Sequence, residues 1–480
     1  MRCWLSDRVS PWLARALTWP LALVLCACGN GVEPAETQAT PTSGAIAFVG
    51  VNVVPMDREI VLAEHTVVVR DGRIVEVGPT AEVQIPSDAE LIEARGHWLM
   101  PGLTEMHGHV PGDDDPTFTE DVLFLYVSNG VTTVRNMAGH PYHLRLRERI
   151  AAGEVVGPTL YAASPWLTAE QAGTPAAADR IVREYHAAGF DLIKLGSIPR
   201  DAYVQLAQTA HAIGMPFGGH IPESVGLIGA LEARQTSIDH FDRYAEFLVR
   251  EGASIESRDL RIFGSGLADL LDEGRIPEAV ERTLKAGTWN VPTLSLVEHL
   301  ASPEPAERMI EWPEMRYVPK SLRERWAAYK REVVARDSFR PAAAQRLVEI
   351  RRKLLKALHD AGAPIALGSD APQYFNVPGF SIHREMQMMV EAGLTPYQVL
   401  ETGTAAPARY FGAPEEFGTI AKGRRADLIL LQANPLENIA NVRKRVGVMI
   451  RGQWWPEERI QARLEQIAQR VATMESGAAE

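Results

Sequence analysis

Cysteine is scarce. The chain of 480 residues holds three, Cys3, Cys26 and Cys28, all close to its start. From there onward no thiol is available for a disulfide, a zinc–thiolate site or a cysteine nucleophile, so any metal must be held by histidine, carboxylate or something rarer. Basic charge is also in deficit: 49 Lys and Arg stand against 61 Asp and Glu, a net charge of −12. Nucleic acid is therefore excluded as a partner, because phosphate contacts need a basic face. Membrane attachment through a basic surface is disfavoured for the same reason. Long apolar runs are missing as well: the stretch 16–27 is too short to span a bilayer.

That stretch has another use. Arg2, Arg8 and Arg15 precede it, as in an export signal. It ends Leu25-Cys26-Ala27-Cys28-Gly29, which resembles the bacterial lipobox and makes Cys28 the residue to be lipidated. The expectation is a signal peptide over 1–27 and a polar, Pro-bearing tether over 28–44. The protein is then exported, either lipid-anchored in the bacterial cell envelope and facing the periplasm, or secreted if the signal is simply cleaved.

The remainder has an ordinary globular composition, and its length suits one large barrel plus a smaller unit. Short β-rich runs fill 46–54, 65–69 and 74–77, with Asp71-Gly72 as a hairpin turn. Similar runs return at 427–431 and 446–450. Segments 45–98 and 412–455 are expected to pair as a small β-sandwich domain, leaving 99–411 inserted between them. The insert alternates amphipathic helices with eight short apolar runs, at 102–106, 131–135, 159–162, 192–195, 216–218, 237–238, 291–294 and 365–367. Eight such repeats predict an α/β fold, a (β/α)8 TIM barrel. Connections 242–290 and 295–364 are long enough to be lids or surface decoration, and the second carries a charged helical stretch at 322–334. The closing segment 456–480 holds an amphipathic helix with Ile460, Leu464, Ile467 and Val471 on one side.

Chemistry collects at the ends of the predicted strands. The stretch Leu99–His109 ends in two histidines spaced i, i+2, which project from one face of an extended chain. His107 and His109 can thus point at one metal ion, with Gly108 letting the backbone bend. Lys194 stands in Phe190-Asp191-Leu192-Ile193-Lys194-Leu195, where a buried parallel strand should be apolar. Burying an unpaired ammonium costs several kcal/mol. It is either a lysine paired or snorkelling at the strand end, or an amine that has reacted with CO2 to give a carbamate bridging two metals. His220 follows Phe217-Gly218-Gly219, whose glycines allow close approach to a ligand, and His240 closes Thr236-Ser237-Ile238-Asp239-His240. Each is a core histidine or a ligand. Asp370 ends Ala366-Leu367-Gly368-Ser369-Asp370, as a ligand or as the N-cap of the next helix.

Placed at the ends of predicted strands 1, 4, 5, 6 and 8, these residues resemble the binuclear-metal branch of the amidohydrolase superfamily. The resemblance runs from Ala45 to about Gly452 and includes Gly130-Val131-Thr132-Thr133-Val134-Arg135, Ala392-Gly393-Leu394-Thr395-Pro396 and Gly418-Thr419-Ile420-Ala421-Lys422-Gly423. It implies two divalent metal ions, zinc first among them. One would be held by His107, His109, carboxylated Lys194 and Asp370, the other by Lys194, His220 and His240. A hydroxide shared between them would be the nucleophile. Asp370 would be the general acid/base that passes a proton to the leaving amine. Tyr244, four residues past His240, would help hold the developing oxyanion, or is simply a loop aromatic.

Two departures from the family pattern, Glu105 before the histidine pair and Asn136 after Arg135, stand where relatives carry Asp. Neither is a ligand position, so both bear on the surroundings of the ligands. Lys194 speaks against mononuclear deaminases and imidazolonepropionase-like enzymes. The short separation of His220 and His240 looks prolidase-like or carboxypeptidase-like.

The implied reaction is hydrolysis of an amide C–N bond in a dipeptide or an N-acyl amino acid. Lactone or phosphoester hydrolysis at the same centre is the alternative. A lipid-anchored binding protein without turnover is a third reading, against which the proton-shuttling Asp370 speaks. Substrate side chains would be met by the two long connections and by 163–173, with His140, Arg316 and Tyr317 as candidate contacts. The sequence does not decide between a monomer and a homo-oligomer.

Overall fold

The computed structural model describes residues 44–477 except 257 and 259. The expected signal peptide, Cys28 and the tether up to residue 43 lie outside the described residues. No described helix is long and apolar enough to cross a membrane.

The chain opens with strands β1 (Ile46–Val53), β2 (Leu62–Arg70), β3 (Arg73–Pro79), β4 (Glu90–Glu93) and β5 (Trp98–Pro101). Seven short strands follow: β6 (Leu103–Gly108), β7 (Val131–Asn136), β8 (Thr159–Ala162), β9 (Ile193–Leu195), β10 (Phe217–Gly219), β11 (Ser237–Asp239) and β12 (Trp289–Val291). The last three are β13 (Leu428–Leu431), β14 (Arg445–Ile450) and β15 (Gln453–Pro456).

The first five and last three strands form one sheet in the order β15-β14-β13-β5-β1-β2-β3, with β4 paired to β1. Both ends of the chain meet where β5 runs antiparallel to β13, Leu99 opposite Leu430. The Asp71-Gly72 turn joins β2 to β3 with both residues at positive φ, 50° and 74°, as the twist of a two-residue hairpin requires. Where a two-layer sandwich is expected, the pairing gives a single sheet that forks at β1. Residues 46–49 pair with β4, and residues 52–53 pair with β5. The sheet also takes in Trp98–Pro101, of which residues 99–101 are expected to belong to the barrel insert. Gly102 ends that strand at a place with no room for a side chain, because a Cβ there would lie 2.2 Å from Thr132 Oγ1.

Between the two halves of this sheet lies a parallel α/β unit. β6, β7 and β8 form one parallel sheet, and β9 to β12 form another. Isolated parallel bridges join Ala163 to Leu192 and Leu167 to Leu195, and the segment after Pro364 bridges Asn290 on one side and Gly108 on the other. The expected eighth strand at 365–367 is therefore a set of bridges rather than a ladder. Even so, Met106 N donates to Leu367 O at 2.9 Å, and Asp370 N to His107 O at 2.9 Å. The arrangement is consistent with a TIM-barrel-like domain. The seventh strand lies earlier than the expected 291–294, because Pro292 lacks an N–H and Thr293 turns left-handed (φ 45°) before the helix Leu294–Ala301.

The long connections are largely helical, with Ile276–Ala286 in the first and Lys320–Ala335 and Pro341–Asp360 in the second. The terminal helix Glu457–Gly477 buries Ile460, Leu464 and Ile467 in the main core and Val471 beside them, the face its sequence pattern predicts.

Candidate metal centre

Six residues come together, among them a carboxylate approached by three histidines. Oδ1 of Asp370 lies 3.0 Å from His109 Nε2 and 3.6 Å from His107 Nε2, and its Oδ2 lies 3.8 Å from His240 Nδ1. Lys194 Nζ comes within 3.4 Å of His107 Nε2, and the His220 ring lies 4.9 Å from that of His240. The parallel strands do this by ending side by side. His107 and Lys194 sit in β6 and β9, while His220 and His240 directly follow β10 and β11. His240 and Asp370 are both left-handed, at φ 62° and 65°. For residues with a side chain that conformation costs about 1 kcal/mol or more, a strain that gathers at functional sites. Asp370 does not cap the following helix, whose N-cap is Gly379.

The residues fit a divalent cation. Ligand atoms of His107, His240 and Asp370 all lie within 4.8 Å of one another, and all three side chains are buried. His109 Nε2 and Asp370 Oδ1 are buried without a hydrogen-bond partner although they are 3.0 Å apart, so they are not aligned as donor and acceptor. Burial, helped by Lys194, pushes the His107 pKa well below its ordinary value. Burial and then the His107 ring do the same for His240. Both imidazoles are thereby kept neutral, the form that binds metal. Imidazole nitrogen with carboxylate oxygen is a donor set that suits zinc and its first-row neighbours.

The histidines are backed by further side chains. Asp239 Oδ2 lies 2.7 Å from His107 Nδ1, and Arg135 Nη2 grips both Asp239 oxygens at 2.9 and 3.0 Å. Asp242 Oδ2 lies 3.3 Å from His220 Nδ1 and accepts from Ile221 N at 2.9 Å. His240 Nδ1 meets Thr293 Oγ1 at 2.7 Å, while Arg351 donates to His240 O at 2.6 Å and to Pro292 O at 3.0 Å. Thr293 is fixed in turn by Glu385, which accepts from Leu294 N and Ser295 N, each at 2.8 Å. Glu105 accepts from His107 N at 2.9 Å and Ser369 N at 2.8 Å, tying β6 to the segment that carries Asp370. Asn136 accepts from Val110 N at 2.9 Å just beyond the histidine pair. Gly219 (φ 103°) clears space for the lysine: a Cβ there would lie 2.9 Å from Lys194 Cδ.

The family model described as the amidohydrolase family matches residues 98–455. The chain belongs to the amidohydrolase family. It is a hydrolase acting on carbon–nitrogen bonds. The ochratoxinase of Aspergillus niger is 25% identical over 467 residues, covering 88% of this chain and 89% of that protein. Among solved structures, bottromycin amidohydrolase superposes with a TM-score of 0.67 at 22% identity, covering 89% of this chain and 90% of its own. A Xaa-Pro dipeptidase with bound methionine in its active site gives 0.63 at 19% identity, covering 86% of this chain and all of its own.

Other expected contacts of this amidohydrolase are tied elsewhere. Tyr244 is fully buried and its hydroxyl pairs with Thr283 Oγ1 at 2.8 Å, on the helix Ile276–Ala286. Burial pushes its pKa up to about 12. Its phenol is thus engaged with an outer helix rather than with the carboxylate cluster. Arg316 pairs with Glu465 of the terminal helix, Tyr317 stacks on Phe380 at 5.4 Å, and His140 lies half-exposed beside Asp113 at 3.8 Å. Asp239, Asp242, Thr293 and Arg351 have no motif of their own. The one local signal is an acid at or just past the end of a strand that a histidine directly follows.

Proposed function

We propose that the centre takes two divalent metal ions, most readily zinc, inside a closed (β/α)8 barrel, and that the enzyme hydrolyses the amide C–N bond of a dipeptide or an N-acyl amino acid. His107, His109, Asp370 and a carboxylated Lys194 would hold one ion, and Lys194, His220 and His240 the other. The observation that carries this reading is the buried Asp370 carboxylate, approached by three histidines with its Oδ1 lacking a hydrogen-bond partner.

When bound, the metal pair supplies a water acidic enough to attack at neutral pH and polarises the scissile carbonyl. The protein's own part is proton transfer and alignment. Gln373 Nε2 donates to Asp370 Oδ2 at 3.1 Å, which leaves Oδ1 to take the proton of the attacking water. The water oxygen bonds to the carbonyl carbon, the C–N bond breaks, and Oδ1 gives the proton to the departing nitrogen. Asp239 and Asp242 fix the tilt of His107 and His220, and Thr293 with Arg351 fixes His240. Export and anchoring through a lipidated Cys28 belong to the same proposal and rest on the sequence.

The test is amine release by the metal-loaded protein across a library of dipeptides and N-acyl amino acids, with Asp370→Asn as control. Turnover of one substrate class is expected, with a loss of roughly a hundredfold or more in the variant and most of the metal retained. Full activity of Asp370→Asn would refute the proton-shuttle role. A silent library from protein with both metals bound would turn the assignment to lactones and phosphoesters.

A further inference from the structure

Two aromatic rings stand where the metal centre meets solvent. His107, His240 and Asp370 expose 1–2% of their side chains and Lys194 none, whereas His220 exposes 18%. His109 exposes 8%, so His220 is the most open of the six. The Trp166 ring lies 5.0 Å from His220, with Lys194 Nζ 5.2 Å from its centroid. Phe263 lies 5.0 Å from the His240 ring and 6.4 Å from the His220 ring, within 3° of parallel to the latter. Both aromatics are partly exposed, and they arrive from different connections, one after β8 and the other after β11.

Each ring sits on a seat made for it. Gly196 provides the floor under Trp166, since a Cβ there would lie 1.9 Å from the indole Nε1. Ile262, Phe263 and Gly264 are left-handed in succession, at φ 54°, 51° and 90°. Two adjacent non-glycine residues in that region persist only where the surroundings impose it. Here the turn packs so closely that a Cβ on Gly264 would lie 2.6 Å from Ala245 Cβ, and Arg351 backs the Phe263 ring at 5.8 Å. The rings are placed rather than carried on free loops.

We propose that Trp166 and Phe263 are the two walls of the substrate entrance and select a flat apolar group beside the scissile amide, so that aromatic residues are preferred there. A ring entering between these walls loses apolar surface to water and gains stacking contacts. A charged side chain would be stripped of water against two apolar faces. The proposal rests on the amide-hydrolase reading above and adds the substrate class.

The experiment compares kcat/KM for N-acetyl-L-phenylalanine and N-acetyl-L-alanine in the metal-loaded wild type, Trp166→Ala, Phe263→Ala and the ring-keeping Trp166→Phe. The expected result is a preference of tenfold or more for the phenylalanine compound. That ratio should fall at least tenfold in each alanine variant and be largely kept by Trp166→Phe. A ratio unchanged in both alanine variants, or an equal loss on both substrates, would overturn the proposal. Calorimetric binding of L-phenylalanine against L-alanine separates the two readings. If the wild type hydrolyses neither compound yet binds phenylalanine more tightly, and the alanine variants lose that difference, the walls stand and the amide reading falls. If no difference in binding exists, the walls are refuted.

Discussion

Oδ2 of Asp239 lies 2.7 Å from Nδ1 of His107, so a carboxylate at the end of β11 stands against a histidine on β6. Burial works to raise the Asp239 carboxyl, but Arg135 and then Lys194 outweigh it and hold the pKa below the usual carboxylate value. Asp239 therefore stays ionised and presents a fixed negative charge to the ring. Asp239→Asn should weaken metal binding roughly 10- to 100-fold in competition with a chelator. It should also cost about 3 kcal/mol in urea unfolding, because Arg135 is left buried without its counter-charge. Unchanged metal affinity would show that the contact does not orient the ligand.

Gly219 offers a cleaner probe of Lys194. Alanine there pays for a left-handed φ of 103° and sets a methyl 2.9 Å from Lys194 Cδ and 3.1 Å from Nζ. Gly287→Ala is the control, since it adopts φ 67° with nothing within 4 Å of its new Cβ. Both variants should lose about 1–2 kcal/mol from backbone strain. Gly219→Ala alone should fall from two bound metals per chain toward one, measured by elemental analysis after dialysis. Equal metal content in the two variants would separate Lys194 from the metal site.

Tyr244 separates two roles for one phenol. With its hydroxyl on Thr283 rather than on substrate, Tyr244→Phe should keep kcat/KM within about twofold and lose about 1 kcal/mol of stability, the worth of one buried hydrogen bond. A tenfold drop in kcat at unchanged KM would restore the oxyanion role.

Glu385 makes stability depend on pH. Burial raises its pKa from 4.5 to about 7, against the pull of the Ser295 and Leu294 amides. The folded state therefore holds this proton more tightly than the unfolded chain. Its contribution is fully present below about pH 4.5 and is lost as pH rises through 7, a change of roughly 3 kcal/mol. Denaturant unfolding from pH 4.5 to 7.5 should show the wild type losing that much relative to Glu385→Gln. Parallel curves for the two proteins would show that Glu385 does not titrate in this window.

His107 and His109 were legible because alternation in a strand is a local rule, and Lys194 because an ammonium in an apolar run demands a reason. Asp370 stood out for the same cause, a carboxylate closing an apolar segment. Arg351 could not be read this way. It is 111 positions from the His240 carbonyl it holds, and an arginine on an amphipathic helix looks like any surface charge until the helix is packed. Phe263 was hidden for a related reason, since its position depends on a left-handed turn that no glycine at its own position announces.

The sequence by itself determined the alternation of strand and helix, the pairing of the two ends of the chain, and the strand ends at which the histidines, Lys194 and Asp370 stand. Each of these follows from periodicity or from a charge set against its neighbours, which is information carried within a few residues. Tertiary structure alone decided which carboxylate stands behind which histidine, that Tyr244 turns to an outer helix, and that Trp166 and Phe263 meet the His220 ring. Those relationships join strands and loops far apart in the chain, and only close packing of the parallel strands brings their ends to one place.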